Sequence, residues 1–242
     1  MSKRSKRYQK AAELVDVDKQ YGLEDAVGLI KKFPAPKFDA TVTLAFRMGI
    51  DPRKSDQMVR GSVALPHGTG KSVRVVVFAS GDAAKAAEAA GADEVGMADL
   101  IKKVQEGFTD FDAAIATPDA MLEVRKIARV LGPRGLMPNP KTGTVTEDTA
   151  AAVNAVKAGR IDYKLDKNGN VAAAVGKASF TEAQLIENTQ ALLDSVVKAK
   201  PASAKGNYIE NVTLAASMCP GCLLYTSPSP RDLSTSRMPS SA

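Results

Sequence analysis

The chain has 242 residues, 33 Lys and Arg against 27 Asp and Glu, and a single His. That length allows one large domain or two modest ones, each with its own core. A formal charge of +6 predicts an anionic partner without naming it, and no apolar run approaches the roughly 20 residues of a membrane span.

The first ten residues carry five cations and no acid, and are expected to form a solvated basic arm. That composition fits a nucleic-acid contact and a solubilising tail alike. No apolar signal core follows it, so a cytoplasmic protein is expected. Residues 23–32 have helical spacing, with Leu23, Val27 and Ile30 on one face, and the Pro-rich break Phe33-Pro34-Ala35-Pro36 ends them. Residues 38–47 alternate as a half-buried strand, and 59–65 read as a second. After Pro66-His67-Gly68-Thr69-Gly70 the pattern changes. Val73-Arg74-Val75-Val76-Val77-Phe78-Ala79 is the short apolar run of a buried strand. Helices at 83–90, 99–106, 118–130 and around 147–157 alternate with strands at 92–95 and 112–117. Such alternation predicts a three-layer α/β unit with mostly parallel strands.

Beyond Gly159, strands at 160–165 and 171–175 flank Asp166-Lys167-Asn168-Gly169-Asn170, where Asn-Gly is a hairpin cue. Thr181 is a good N-cap for a helix through Lys200, with Glu182 favouring its first turn. Residues 207–215 alternate as a final strand. The flanks therefore read as α+β and the middle as α/β. The expected plan is an α/β domain inserted into a split α+β domain, with boundaries near Gly68 and Gly159.

Several motifs invite chemistry and fail on context. Gly68-Thr69-Gly70-Lys71-Ser72 ends like a phosphate loop, but Leu65 stands where its first glycine belongs, and Lys71 opens a strand rather than a helix. Ala79-Ser80-Gly81-Asp82 offers one glycine where a dinucleotide turn needs several. His67 has no Cys or Ser near it in triad order and reads as a turn residue. Asp110, Asp112 and Asp119 lack rigid ligand spacing for Mg²⁺ and suit caps and turns. Cys219-Pro220-Gly221-Cys222 has the spacing of redox dithiols and zinc half-sites. A redox thiol wants a helix N-terminus, and a zinc site wants a second ligand pair for which only His67 remains. The chain is therefore read as no enzyme, with neither cofactor nor metal.

The segment Arg129-Val130-Leu131-Gly132-Pro133-Arg134-Gly135-Leu136-Met137-Pro138-Asn139-Pro140-Lys141-Thr142-Gly143-Thr144 is too rich in Gly and Pro for a regular helix or central strand. Its amides and three cations suit phosphate oxygens. It resembles, nearly residue for residue, a loop of the L-one family of bacterial large-subunit ribosomal proteins. So do Phe38-Asp39-Ala40-Thr41-Val42, Gly49-Ile50-Asp51-Pro52-Arg53-Lys54-Ser55-Asp56-Gln57, Val59-Arg60-Gly61 and Leu65-Pro66-His67-Gly68-Thr69-Gly70-Lys71. Ala158-Gly159-Arg160-Ile161, Val175-Gly176-Lys177 and Ala204-Lys205-Gly206 continue the match in the family's order and spacing.

The resemblance implies a split ferredoxin-like α+β domain over residues 1–67 and 160–221. A Rossmann-like α/β domain over 68–159 interrupts it, with hinges at Pro66, Gly68 and Gly159. It implies a large-subunit constituent, monomeric when free, that binds 23S rRNA, forms the mobile stalk and touches exit-site tRNA as it leaves. The family also represses its own operon by binding an mRNA site that mimics the rRNA. Lys37, Phe38 and Thr41 match family residues that approach the rRNA. On sequence alone a core Phe38 is the better reading, and the resemblance reverses that order in favour of an RNA contact. Ser217-Met218-Cys219-Pro220 matches a motif usually read Thr-Met-Gly-Pro, whose hydroxyl and backbone enter the RNA minor groove. Cys219 adds a β-carbon where backbone would need close approach or positive φ, which predicts weaker RNA binding. Arg53, Lys164 and Lys167 are expected to add salt-screened phosphate contacts. Arg125, Arg129, Arg134 and Lys141 supply charge for tRNA, although Arg125 and Arg129 also fit a solvated i,i+4 helix face.

From Cys222 the character changes. Cys222-Leu223-Leu224-Tyr225-Thr226-Ser227-Pro228-Ser229-Pro230-Arg231-Asp232 has neither helical nor strand periodicity and resembles the translation of a sequencing adapter. Residues 222–242 are expected to be a non-native tail outside the fold, with a disordered Ser/Pro tail as the alternative.

Overall fold

A computed structural model describes residues 4–16, 19–204 and 206–224. The chain opens with α1 (Lys6–Glu13), whose N-cap Ser5 accepts a hydrogen bond from the Tyr8 N–H at 3.3 Å. This corrects the expectation of a solvated arm. Ala11 and Val15 are buried in the core, while Arg4, Lys6 and Lys10 remain exposed. β1 (Gln20–Tyr21) and α2 (Leu23–Lys32) follow. The bounds of α2 are those of the helical spacing, with Ala26, Val27 and Ile30 buried, and Pro34 and Pro36 bar its continuation. In β2 (Thr41–Met48), Val42, Leu44, Phe46 and Met48 point inward, while Thr41, Thr43 and Ala45 form a half-buried outer face. β3 (Arg60–Ala64) comes next.

The middle of the chain carries β4 (Val75–Phe78), α3 (Asp82–Ala89), β5 (Glu94–Gly96), α4 (Ala98–Gln105), β6 (Ala113–Ala116), α5 (Met121–Val124), α6 (Ala128–Leu131) and α7 (Thr149–Lys157). β4 lies between β5 and β6, parallel to both. All four of its residues are buried because helices cover both faces. Val76 and Phe78 pack with Leu100, Val104, Val124 and Leu131; Val75 and Val77 pack with Ala87 and Val153. The single helix expected over 118–130 is instead two short helices joined by the 3₁₀ turn Arg125–Ile127. Val124, Ile127 and Leu131 stay buried, so the tighter turn leaves the apolar stripe intact.

The remainder comprises β7 (Arg160–Lys164), β8 (Asn170–Lys177), α8 (Glu182–Lys198), β9 (Ile209–Ala216) and β10 (Gly221–Leu224). A five-stranded sheet has the order β1-β10-β9-β2-β8, and β3 pairs with β7 in a separate ribbon. Val27, Ile30, Leu185, Leu192 and Val196 from α2 and α8 share one core with the inward residues of β2, β8 and β9. A capping box starts α8: Thr181 Oγ1 accepts from the Gln184 N–H at 3.4 Å, and Gln184 Oε1 from the Thr181 N–H at 3.0 Å.

Two expectations fail here. The Asp166–Asn170 turn forms, with the Asp166 N–H bonded to Asn170 O at 2.8 Å, but no regular hairpin extends from it. Beyond the single Leu165–Val171 bridge, β7 and β8 diverge onto different sheets. Residues 222–224 belong to the fold. Cys222 and Leu224 are buried, opposite Leu214 and Val212 of β9. Two inward residues in a four-residue strand are too few for periodicity to reveal. Residues 225–242 lie outside the described residues.

The chain passes between the β3/β7 ribbon and the three-stranded sheet twice, and the two passages touch. Gly159 has φ 101°, and a β-carbon there would lie 2.2 Å from the Gly68 Cα, so only glycine fits. Asn188 of α8, wholly buried, holds the first passage. Its Oδ1 accepts from the His67 N–H at 3.1 Å, and its Nδ2 donates to Gly68 O at 3.0 Å and Val175 O at 2.8 Å. A bulge sets Gly176 opposite Val42 and Ala174 opposite Thr43, so Val175 has no partner in β2. Asn188 supplies the bond that the bulge removes. Asn188→Ala is expected to lower the unfolding free energy by about 3 kcal/mol, because one buried N–H and two carbonyls lose their partner. Urea denaturation measures it, and an unchanged midpoint would refute this account.

Candidate nucleic-acid interface

The start of β2 and the end of β9 meet at one end of the five-stranded sheet, because the two strands pair antiparallel. Ser217 donates to Thr41 O twice, from its N–H at 3.0 Å and from Oγ at 3.2 Å. Lys177, at the end of β8, donates from Nζ to Thr41 Oγ1 at 2.9 Å. Thr41 and Ser217 are thus brought together, and Lys177 joins them as a residue that site reasoning missed. Its only signal was its place in the Val175-Gly176-Lys177 block.

Phe38 lies three residues before Thr41, within about 11 Å. Its side chain is 49% exposed, which overturns the core reading. The chain around it is tied down. Ser179 donates from N–H and Oγ to the Asp39 carboxylate at 3.2 and 2.8 Å, and the Ala178 N–H bonds Ala40 O at 2.8 Å. Phe33 and Ala40 are buried on either side, so Lys37 and Phe38 are held outward on a braced segment.

Met218 is 68% exposed and has φ 61°, the only positive φ on a non-glycine among the described residues. That conformation costs an L-residue roughly 1–2 kcal/mol. It is imposed by the hairpin: Ala215 pairs with Gly221, and the Cys219 N–H closes the turn on Ala216 O at 3.0 Å. The strained residue is therefore Met218, not Cys219. Of the two reasons for expecting a glycine at Cys219, the positive φ does not hold; the Cys219 side chain is half-buried and packs against the core. The glycine that geometry demands is Gly221, where a β-carbon would meet Thr213 Cγ2 at 2.5 Å.

The two thiols are free. Burial pushes the Cys222 thiol up to about 11, and burial also raises Cys219 against the opposing influence of Arg7. Reactive dithiols need the reverse shift. His67 Nε2 lies 2.6 Å from Glu187 Oε2, and no group of three or more His, Cys, Asp or Glu among the described residues could hold a metal ion. Asp110 and Asp112 act in ion pairs with Arg74 and Lys71, whose hydrogen bonds hold both carboxyls below their ordinary range.

Arg53, Lys164 and Lys167 do not join the Thr41 cluster. β2 climbs seven steps from Thr41 to Met48, about 23 Å, and the Met48 N–H bonds Gly169 O at 2.9 Å at the far end. There Lys164 and Lys167, with Pro52, Met58, Leu165, Asp166 and Asn168, line a shallow concavity of about 580 Å³. Arg53 is exposed next to Pro52.

Arg125 and Arg129 are exposed on the α5–α6 segment, and Arg134 donates to Thr109 Oγ1. The Lys141 side chain lies outside the described residues. The Gly/Pro-rich loop does not present its amides as anticipated. The N–H groups of Gly135, Leu136, Thr142, Gly143 and Thr144 bond carbonyls within residues 131–140. Asn139 donates to Thr144 Oγ1 at 2.8 Å, and Arg160 braces the loop through Thr142 O and Ser62 Oγ.

A presented ring, an exposed thioether and two hydroxyls, rimmed by lysines and free of any acid–base constellation, make a surface of the kind RNA-binding proteins use. The chain belongs to the ribosomal protein L1p/L10e family, whose sequence profile matches residues 30–220. This is a family of ribosomal proteins that bind rRNA and are not enzymes. No helix among the described residues is long and apolar enough to cross a membrane.

Two outcomes follow from the hairpin. Met218→Gly is expected to stabilise the fold by about 0.5–1 kcal/mol, relief of strain outweighing the entropy of glycine, while RNA binding weakens. Thermal unfolding and a binding titration measure the two effects. Alkylation of the native protein is expected to label Cys219 well before Cys222, with Cys222 reacting only as the sheet opens; equal rates would contradict its burial.

Proposed function

We propose that the protein is a constituent of the large ribosomal subunit that grips a folded 23S rRNA element of the mobile stalk through the Thr41–Met218 end of its five-stranded sheet. The observation that carries this reading is the exposure of Phe38 and Met218, each close along the chain to the hydrogen-bonded pair Thr41 and Ser217. The Phe38 ring offers a face to an unpaired base or a sugar, and Met218 fits against the same surface. The Thr41 and Ser217 hydroxyls can read 2′-hydroxyls, which DNA lacks. Lys37 and Lys177 rim the contact, and Arg53, Lys164 and Lys167 reach a separate stretch of backbone.

In this reading residues 1–67 and 160–221, with the 222–224 end of β10, form the anchoring domain and 68–159 an inserted one, joined at Pro66, Gly68 and Gly159. The inserted domain moves about those passages while the first stays fixed. Arg125, Arg129, Arg134 and Lys141 then meet exit-site tRNA and assist its release. The anchoring surface also binds an mRNA site in the protein's own operon that mimics the rRNA, and so represses translation.

The test is binding to a stalk-region 23S rRNA fragment across salt concentrations, with unrelated structured RNA as competitor. Binding is expected to survive the competitor. Phe38→Ala and Met218→Ala are each expected to weaken it about tenfold or more with little change in salt slope. Lys164→Ala and Lys167→Ala should each lower the slope by about one. Binding abolished by the competitor would leave only general electrostatics and overturn the proposal.

A further inference from the structure

We infer that α1 is part of the RNA interface, with Arg7 joining the Met218 turn to an RNA phosphate. The inference rests on the Thr41–Met218 end being the RNA-binding surface. Arg7 Nη2 donates to Met218 O at 3.5 Å, and its charge acts on the neighbouring Cys219 thiol. These two observations set the guanidinium beside the exposed, strained residue at the centre of the site. A bond of that length is weak, and a guanidinium has five N–H donors in a planar fork suited to phosphate. Arg7 can therefore hold the turn loosely and still offer the fork to an anion.

The rest of α1 is built in a way that its own stability does not explain. Arg4, Lys6 and Arg7 fall just before and within its first turn, which holds no acid, while Lys10 lies in its last turn. Cations at a helix N-terminus oppose the macrodipole and destabilise the helix. The ion pairs among the described residues leave all four unneutralised. An anionic partner lying along the helix accounts for this charge, whereas a solubilising tail would not need to be folded. And α1 is firmly docked: Ser5 caps it, Ala11 and Val15 are buried, and the Asp16 N–H bonds Tyr21 Oη at 2.9 Å. The docked helix therefore sets Arg7 next to Met218 and fixes the backbone from which its other cations extend, so less ordering entropy opposes their contact with a phosphate backbone. Lys6 and Lys10, four residues apart, share one exposed face and extend the positive surface away from Arg7.

The experiment uses the full chain and the stalk-region 23S rRNA fragment over a salt series. It compares Arg7→Ala, Arg7→Lys, the double variant Lys6→Ala/Lys10→Ala, and Met218→Ala. Arg7→Ala is expected to bind about tenfold more weakly, with a salt slope smaller by about one. Arg7→Lys should recover the slope but only part of the affinity, since a lysine lacks the fork. The double lysine variant touches neither the core nor the Met218 turn, and its slope should fall by one to two, roughly one per lost phosphate contact. Weaker binding by Arg7→Ala at an unchanged slope, with the double variant like wild type, would make Arg7 only a brace for the turn and overturn the inference. Wild-type binding by every α1 variant, alongside loss in Met218→Ala, would also overturn it while leaving the surface assignment intact. If Met218→Ala binds like wild type too, the surface assignment itself fails.

Discussion

β2 is hydrogen-bonded along both edges, to β8 and to β9, and its register against each fixes where distant parts of the chain meet. A slip by one residue would turn Val42, Leu44 and Phe46 out of the core, so the hydrophobic pattern holds the register firmly. That register brings Thr41, Lys177 and Ser217 together at one end and the Asp166–Asn170 turn to Met48 at the other. Its irregularity against β8, the bulge at Val175, frees a carbonyl to which Asn188 Nδ2 donates, and a second register shift falls between Arg47 and Met48 against β9. The same amide group grips His67 and Gly68, where the chain leaves for the three-stranded sheet. Sheet register, the Thr41–Ser217 cluster and the hold on the passage at His67 and Gly68 are thus tied to one strand.

The surface at the end of that sheet combines braced and strained parts. Asp39 and Ala40 tie the Phe38 segment to the residues just after β8, and the hairpin forces Met218 into a backbone conformation it would not choose. Phe38 and Met218 are thereby held outward. Under the proposed function such preorganisation reduces the ordering cost of RNA association, and the positive φ of Met218 is a measure of what the fold gives up for it.

Where periodicity runs long enough, the sequence predicts the fold well. α2 keeps its expected bounds, α8 begins at the anticipated Thr181 cap, and β4 is buried on both faces as its unbroken apolar run requires. Short elements that owe their form to neighbours were not legible. β10 has two inward residues and is a strand only because β9 and β1 flank it. α1 looked like a free arm because its charges dominate the composition, while one alanine and the following Val15 dock it. The Asn-Gly turn was legible but not the departure of β7 and β8 to different sheets, since turn chemistry is local and strand partnership is not. At the candidate site, Thr41 and Ser217 were found through motif likeness. Lys177 and Arg7 were not, because only the folded sheet brings residues so far apart in the chain into contact.

The hairpin has a further consequence for timing. Met218 is strained and presented only when Gly221–Leu224 fold back along β9, and β1, from the first tenth of the chain, closes against that same last strand. A chain still under synthesis has most of its core residues but lacks the strand that shapes its tip. Contacts spanning some 200 residues form late and slowly. The Met218 turn therefore takes its shape only after the residues beyond it have been made and β10 has paired with β9.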